Sequence, residues 1–354
     1  MTLLYSALKF LRYREHLEAV RDQRILAPVH IRLKPTNHCN HNCWYCAYKV
    51  DNLHLGEEMV EGDAIPPEKM DEIVTDIIAM GVKAVTFSGG GEPLLYKPLP
   101  GVVERLVRGG VRVAALTNGS NLKGSVAEAL ARHATWVRIS MDGWDDASYA
   151  RARGLRGAPF TRLIDNIESF TALGSRCVLG VSFIVTAENV AHLHGVCALL
   201  KGAGVNHVKL SGVVVANDGA GNNAYHAHLQ QQVAEQLRAA QSLNDARFSV
   251  INHYHELEER FDKGYATCPF LQFLTVIGAD CGVYTCQDKA YRSSGLLGSI
   301  RGRSLRDFWF SEENRRRIFS LNPATECRHH CVAHNKNLAI HDVLRIDPDH
   351  GAFV

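Results

Sequence analysis

The sequence lacks a marked excess of charge of either sign, since 39 Lys and Arg residues against 37 Asp and Glu residues leave a formal net charge of +2. A balance this even implies no polyanionic partner, so we expect no nucleic acid partner. No window of about 18 uncharged apolar residues occurs, and none is therefore predicted to span a membrane. The first 26 residues also lack the apolar block and cleavage site of a signal peptide. Together these absences favour a cytoplasmic protein.

Repeats and low-complexity tracts are absent too, beyond a recurring alternation of strand-like and helix-like segments between residues 29 and 215. This alternation predicts parallel strands joined by right-handed helical crossovers. Six such units are fewer than a closed eight-fold barrel needs, so the pattern predicts an α/β fold with a partial (β/α)6 barrel. Its chemistry is expected at the carboxyl ends of the strands. The predicted strands are 30–34, 82–87, 111–116, 136–140, 178–185 and 207–215.

The pattern changes after residue 216, where a polar loop over 217–223 precedes a helical stretch. A hairpin is predicted over 270–286 and an amphipathic helix over 305–319. The predicted organisation is an N-terminal helical extension, the partial barrel, a linker helix region and a small C-terminal α+β domain, over residues 1–28, 29–225, 226–265 and 266–354.

The ten cysteines are unevenly distributed, and three of them form a C-x3-C-x2-C segment of Cys39, Cys43 and Cys46. Disulfides are rare in a reducing cytosol, so the cysteines are expected to bind metal, to act catalytically or to be simply buried. Three thiolates on one loop can hold three corners of a cubane iron–sulfur cluster and leave the fourth iron open to a small molecule. The Cys43-x2-Cys46 pair by itself would more often indicate zinc.

Three polar segments follow later predicted strands. Residues 88–93 read Ser-Gly-Gly-Gly-Glu-Pro after the second strand, and their glycines leave the backbone open to a closely approaching ligand. Residues 117–119 and 140–143 end the third and fourth strands. Ordinary glycine-rich or Asx turns are the alternative interpretation of all three.

Two features of the sequence together resemble the radical S-adenosylmethionine (SAM) superfamily. They are the cysteine triplet, with Trp44 and Tyr45 before its last cysteine, and the GGGEP segment. The resemblance implies a [4Fe–4S] cluster and SAM as cofactors. It further implies reductive cleavage of SAM to a 5′-deoxyadenosyl radical, which takes a hydrogen atom from the substrate. A flavodoxin or ferredoxin reductant is implied by the same chemistry.

The resemblance also implies roles for individual residues toward SAM. By position, Gly90, Gly91 and Glu92 match the segment that contacts the SAM ammonium group, and Arg153 matches an arginine that binds its carboxylate. Arg151 and Arg156 are close rivals of Arg153, and a solvated surface arginine is the alternative. The further predicted SAM-binding residues are Tyr45, Asn118, Ser140 and Ser182.

Four late cysteines, Cys268, Cys286, Cys327 and Cys331, resemble the ligands of an auxiliary [4Fe–4S] cluster in a Twitch or SPASM-like domain. The C-x3-C ending departs from the commoner C-x2-C, which leaves the fourth ligand open. A zinc site that includes His330 or His334, or simple buried thiols, are the alternatives. The remaining late cysteine, Cys281, is predicted as a hydrogen-atom donor, an alternative cluster ligand or a plain thiol. Cys177 and Cys197 are expected in the core.

Five polar residues are predicted to bind the substrate. Asp142 comes from the end of the fourth strand, and the other four lie on the sixth strand or after it: Lys209, Ser211, Asn217 and Tyr225. A solvated loop is the alternative for the asparagines of residues 217–223. The leading hypothesis is a small-molecule substrate, such as a sugar, aminocyclitol or nucleotide sugar, that undergoes dehydrogenation, epimerisation or elimination. Peptide modification is one alternative, disfavoured because few residues precede the first strand. A non-catalytic zinc or iron–sulfur protein is the other.

Overall fold

The computed structural model describes residues 4–50, 53, 55–254, 261–347 and 349–353. Its centre is one ten-stranded sheet in the order β10-β9-β8-β1-β2-β3-β4-β5-β6-β7. Within the described residues, no helix is long and apolar enough to cross a membrane. The strands are β1 His30–Leu33, β2 Ala84–Phe87, β3 Arg112–Thr117, β4 Ala134–Ser140, β5 Val178–Val185, β6 His207–Gly212, β7 Ser249–His253, β8 Leu274–Ile277, β9 Gly282–Tyr284 and β10 Leu296–Ser299.

Strands β1 to β7 pair in parallel in chain order, and helices connect them. The predicted α/β class with an open barrel of parallel strands is therefore confirmed. The described α-helices are α1 Arg14–Arg21, α2 Pro67–Ala79, α3 Leu99–Arg108, α4 Gly124–His133, α5 Asp146–Arg153, α6 Pro159–Ala172, α7 Leu193–Gly202, α8 Gly219–Ala227, α9 Gln230–Gln241, α10 Leu305–Trp309, α11 Glu312–Ser320, α12 Pro323–Glu326 and α13 His334–Arg345.

The two faces of the parallel strands differ in polarity. On β4, Val137 and Ile139 are fully buried under the outer helices, whereas Arg138 and Ser140 point to the opposite face and are partly exposed. Because side chains alternate along a strand and paired strands keep the same register, this inner surface is continuous from strand to strand. We call it the lumen face. It is polar and reachable by solvent, whereas the outer face forms the main apolar core.

Four details differ from the sequence prediction. A seventh parallel strand, β7, lies inside the predicted linker, and the first hairpin strand, β8, pairs in parallel with β1. The predicted 217–223 loop contains the start of α8, which the Asp218 side chain caps by accepting a hydrogen bond from Gly221 N. The predicted 305–319 helix is broken because the Ser311 side chain accepts from Asn314 N and starts α11. The domain boundaries at residues 28, 225 and 265 stay predictions.

Candidate active site and a second cysteine cluster

The loop after β1 carries Cys39, Cys43 and Cys46, each of them half-buried. Its start is fixed by Asn37, whose Nδ2 donates to Val60 O at 3.0 Å while its Oδ1 accepts from Tyr291 Oη at 2.5 Å. Burial raises the pKa of the Cys39 and Cys46 thiols. Free thiols are thus favoured over thiolates until a cation lies against them, as expected for a metal-binding loop.

The glycine-rich loop after β2 packs directly on the cysteine loop. Gly91 N donates to Thr36 O at 3.3 Å and Glu92 N donates to His38 O at 2.9 Å. A Cβ atom on Gly91 would lie 2.1 Å from His38 O. Glycine is therefore required at residue 91 for this close approach of two backbones, which explains Gly91 without assigning it a ligand.

Glu92 joins this glycine-rich loop to the end of β3. Its carboxylate is 2% exposed and accepts hydrogen bonds from Leu94 N at 3.0 Å, Thr117 Oγ1 at 2.6 Å and Asn118 N at 2.6 Å. Burial raises the pKa of Glu92, and the three donors act in the opposite direction. Glu92 therefore organises three strand ends, and its predicted contact with SAM stays a prediction.

Asn118 continues this arrangement toward the cysteines, because its Nδ2 donates to Asn40 Oδ1 at 2.9 Å. Ser140 and Ser182 are register partners on β4 and β5, on the lumen face. The predicted SAM-binding residues of β3, β4 and β5 thus lie at one edge of the sheet, next to the cysteine loop. Their individual contacts with SAM stay predictions.

Beside Cys43 lies a buried ion pair between Arg153 and Asp142, with side chains 5% and 2% exposed. The Asp142 carboxylate also accepts from Tyr45 Oη and from Ile184 N, the latter at 2.7 Å. Burial alone would lower the pKa of Arg153, but the Asp142 carboxylate raises it well above its usual value. The sequence predicts that Asp142 binds the substrate and that Arg153 binds SAM. In this structure the two side chains pair with each other.

Arg153 also contacts the cysteine loop, since its Nη1 donates to Cys43 Sγ at 3.5 Å and its backbone O accepts from Asn42 N at 2.9 Å. Its Nε is buried without a partner among the described residues. A guanidinium directed at a cysteine sulfur is suited to a site where that sulfur is a thiolate. Three thiols on one loop with this cation beside them fit a [4Fe–4S] cluster with three protein ligands.

A small hollow adjoins this site, and Tyr45 and Asp142 line it. Trp144, which was not predicted, also lines it and stacks on His192 with ring centroids 3.9 Å apart. Lys34 was also missed. Its Nζ donates to Tyr48 Oη at 2.7 Å and to Gly89 O at 2.9 Å, and burial lowers its pKa to about 7. A lysine directly after Leu33, at the end of the predicted strand 30–34 and just before the cysteine loop, was the available signal.

The four late cysteines Cys268, Cys286, Cys327 and Cys331 line one cavity. Burial raises the pKa of each thiol, to about 12 for Cys268 and about 11 for Cys331, and neighbouring thiols add to the effect on Cys268 and Cys286. Four buried thiols around one space, with Lys263 and Lys289 in its wall, fit a four-thiolate metal centre.

Polar neighbours of this cavity were not predicted. Cys286, Asp288 and His329 offer ligand atoms that lie within 4.8 Å of one another. Asn337 Nδ2 donates to Cys268 Sγ at 3.4 Å and its Oδ1 accepts from Phe270 N at 3.0 Å. The histidine in the cavity wall is His329, rather than the His330 or His334 considered for a zinc site.

Cys281 lies apart from both cysteine sets. It is 4% exposed in the apolar core, has a positive φ of 62° in the turn between β8 and β9, and does not line the cavity of the four late cysteines. The roles predicted for Cys281, as a hydrogen-atom donor or an alternative cluster ligand, stay predictions. Cys177 and Cys197 lie in the core as expected, at 7% and 1% exposure.

The predicted substrate residues of the sixth strand and the following segment lie in two places, on the lumen face and around α8. Lys209 and Ser211 point to the lumen face, whereas Val208 and Leu210 between them are buried outside. Tyr225 lies on α8, where its Oη accepts from Ala187 N at 3.1 Å, and Asn217 is partly buried just before that helix. Their contacts with substrate stay predictions.

A family model matches the stretch that runs from the last residue of β1 through β5. Residues 33–200 match the model of the radical SAM superfamily. This stretch is a radical SAM domain. The predicted family is thereby confirmed for this stretch, and the predicted [4Fe–4S] cluster and SAM are the cofactors of that family. The Twitch or SPASM-like assignment of the C-terminal part stays a prediction.

Curated relatives are similar over part of their length. The chain is 30% identical over 139 residues to an S-adenosylmethionine-dependent nucleotide dehydratase from Lacinutrix mariniflava, over 37% of this chain and 29% of that protein. It is 31% identical over 214 residues to pre-heme d1 synthase from Dinoroseobacter shibae, over 60% of this chain and 50% of that protein. The chain thus spans half or less of these two relatives.

Solved structures share the fold over most of this chain. SuiB from Streptococcus suis bound to S-adenosylmethionine matches with a TM-score of 0.60 at 15% identity, over 87% of this chain and 72% of SuiB. Native anSMEcpe with bound AdoMet matches with a TM-score of 0.61 at 16% identity, over 90% of this chain and 96% of that one. At this identity the likeness concerns the fold alone.

Proposed function

We propose that this chain is a cytoplasmic radical SAM enzyme that abstracts a hydrogen atom from a small-molecule substrate. The observation that carries the proposal is the convergence of the Cys39, Cys43 and Cys46 loop with the glycine-rich loop and Arg153 at one edge of the sheet. When bound there, a [4Fe–4S] cluster with SAM supplies the electron that cleaves SAM to a 5′-deoxyadenosyl radical.

The residues of this chain hold and shape that site. The three cysteines would hold the cluster, and Arg153 would offset the charge of the Cys43 thiolate. Glu92 fixes the loop ends after β1, β2 and β3 in one arrangement, so the SAM-facing backbone is preorganised. Tyr45 packs at right angles to Trp44 and stays hydrogen-bonded to Asp142, which limits the motion of the loop.

We further propose that Cys268, Cys286, Cys327 and Cys331 hold an auxiliary [4Fe–4S] cluster. Their shared cavity supports this, and the charges of Lys289 and Lys263 favour the thiolate form of Cys327. A second cluster can accept an electron, which favours net oxidation of the substrate. Epimerisation through Cys281 has less support, because that thiol is enclosed in the apolar core.

A small-molecule substrate agrees with the names of two curated relatives, a nucleotide dehydratase and a probable GTP 3′,8-cyclase from Sulfolobus acidocaldarius. Both matches cover less than two thirds of the relative. SuiB and anSMEcpe have been solved with peptides, but at 15% and 16% identity they lend no support to a peptide substrate here.

The test is anaerobic reconstitution followed by iron and sulfide analysis and by SAM cleavage under dithionite. We expect about eight irons per chain and formation of 5′-deoxyadenosine. Cys43→Ala should lose about four irons and cleavage, whereas Cys286→Ala should lose about four irons from the other site. Cys177→Ala, which removes a core thiol, is the matched control and should keep both. Formation of 5′-deoxyadenosine by Cys43→Ala would overturn the proposal.

A further inference from the structure

The lumen face is rich in cationic side chains. Arg32 on β1, Arg138 on β4 and Lys209 on β6 all point to it, and Lys34 follows at the end of β1. Asp142 is paired with Arg153, whereas Asp288, which accepts from Val332 N at 3.0 Å, is the carboxylate whose charge raises the pKa of Arg32. The overall net charge of +2 does not reveal that these basic side chains share one face.

Two of these guanidinium groups have unmatched donors. The Nε atoms of Arg32 and Arg138 are buried and find no partner among the residues that the structure describes. Arg138 has one fixed contact, because its Nη1 donates to Tyr5 Oη at 2.9 Å. Buried polar groups in native proteins are nearly always hydrogen-bonded. Two buried N–H donors without a described partner on one face therefore indicate a ligand that accepts hydrogen bonds from them.

The two arginines also affect each other and their neighbours. Burial and then the like charge of Arg138 lower the pKa of Arg32. Burial and then the adjacent arginine lower the pKa of His30 to about 3 and that of His207 to about 4. Both histidines are thus neutral at pH 7 and add no charge. The Asp288 carboxylate offsets the effect of Arg138 on Arg32 only in part, so an anion between the two guanidinium groups would relieve the remaining repulsion.

We infer that the substrate carries a phosphate group and that Arg32 and Arg138 bind it on the lumen face. The inference rests on the proposed function, because it specifies the substrate of that site. A guanidinium fork matches phosphate oxygens bidentately, and the charge of a phosphate dianion matches two guanidinium groups. A single carboxylate would neutralise one of them.

The position suits a substrate that reaches the radical site. Ser140 lies two residues beyond Arg138 on the same face of β4, which places it ~7 Å nearer the edge where the cysteine loop lies. A phosphate held at the arginines would leave the rest of a small molecule pointing toward Ser140 and Ser182. The phosphate group and the reacting part of the substrate would thus lie at different positions along the lumen face.

Phosphate binding can be measured by ³¹P NMR titration of inorganic phosphate into the anaerobically reconstituted full chain at low ionic strength. We expect saturable binding to one site, weakened at least tenfold in Arg32→Gln and in Arg138→Gln. Arg32→Lys, which keeps the charge but loses the fork, should lie between them and the wild type. The exposed Arg132→Gln on α4 is the matched control and should bind like the wild type. Acetate should compete poorly.

Formation of 5′-deoxyadenosine in the same wild-type preparation separates this inference from the proposed function. Cleavage of SAM without saturable phosphate binding would overturn the phosphate assignment alone. Binding that survives in both glutamine variants would place the anion elsewhere and overturn it as well. If Arg32→Gln does not fold, as judged by circular dichroism, Arg138→Gln decides the question. Absence of SAM cleavage in the wild type contradicts the proposed function instead.

Discussion

At the scale of single residues, the Asp142–Arg153 pair is the most strongly constrained contact near the cysteine loop. Both side chains are nearly inaccessible to solvent, and Tyr45, Ile184 N and Cys43 complete their surroundings. Removing one member of a buried pair leaves the other charge without compensation, which costs far more than the loss of a surface pair.

Arg153→Gln is therefore expected to lower the free energy of unfolding by about 3–5 kcal/mol in urea titrations. The matched control is Arg151→Gln, two residues away on α5. Arg151 and its partner Glu188 are 60% and 72% exposed with 3.7 Å between Nε and Oε2, so this change should cost less than about 1 kcal/mol. Equal losses in the two variants would show that Asp142 is solvated in solution.

For the Asp142–Arg153 pair, the location of each residue could be predicted from the sequence but the contact between them could not. The sequence placed both residues near the site, because each follows the fourth strand closely. Their mutual contact could not be predicted, since it depends on how α5 returns to the cysteine loop. Gly154, with a φ of 63°, ends that helix where a Cβ atom would lie 2.6 Å from Asn42 O. Such tertiary contact leaves no periodic signal.

At the scale of elements, the glycine-rich loop and the cysteine loop form one unit. In Gly91→Ala the new Cβ atom would collide with His38 O at 2.1 Å and with the Asn37 backbone at 2.4 Å. Backbone atoms cannot rotate away as a side chain can, so the cysteine loop must shift.

We expect Gly91→Ala to lose about half of its iron after reconstitution, together with 5′-deoxyadenosine formation, while the cluster of the late cysteines stays. The control is Gly62→Ala, in a loop where a Cβ atom meets nothing within 4 Å. Full iron content and wild-type cleavage in Gly91→Ala would mean that the two loops do not touch in the loaded enzyme.

Strands that form a nearly continuous apolar run were predicted well, as β5 shows, with observed bounds that equal the predicted ones. The missed strand, β7, has the sequence Ser-Val-Ile-Asn-His, in which Val250 alone is buried. The pairing of β8 with β1 joins residues more than 240 positions apart. Local periodicity describes neither a short polar strand nor a long-range pairing.

At the scale of the whole molecule, buried neutral histidines should make the protein sensitive to acid. His207 has a pKa of about 4, against about 6.5 in an unfolded chain, chiefly because of burial and then Arg138. Between these values the unfolded chain binds a proton that the folded chain does not, so stability falls as pH decreases from 6.5 to 4.

Removing this histidine should flatten the pH profile. In His207→Gln, the slope of unfolding free energy against pH between 4 and 6.5 should decrease by about 1.4 kcal/mol per pH unit, which corresponds to one proton. Urea unfolding at a series of pH values measures the slope. The exposed His194→Gln should follow the wild type. An unchanged slope in His207→Gln would indicate that this ring is already protonated or solvated.

The pairing of β8 with β1 has a consequence for how such a chain can be altered. Strand β1 leads straight into the first cysteine loop, and its edge is covered by a strand that lies between Cys268 and Cys286. Tyr291, which follows the same hairpin, donates to Asn37 at the start of that loop. A cut near residue 265 would expose the His30–Leu33 backbone as an open edge prone to aggregation. The C-terminal part therefore cannot be exchanged as an independent unit. A chimera joined at that position would have to supply another strand that pairs with β1.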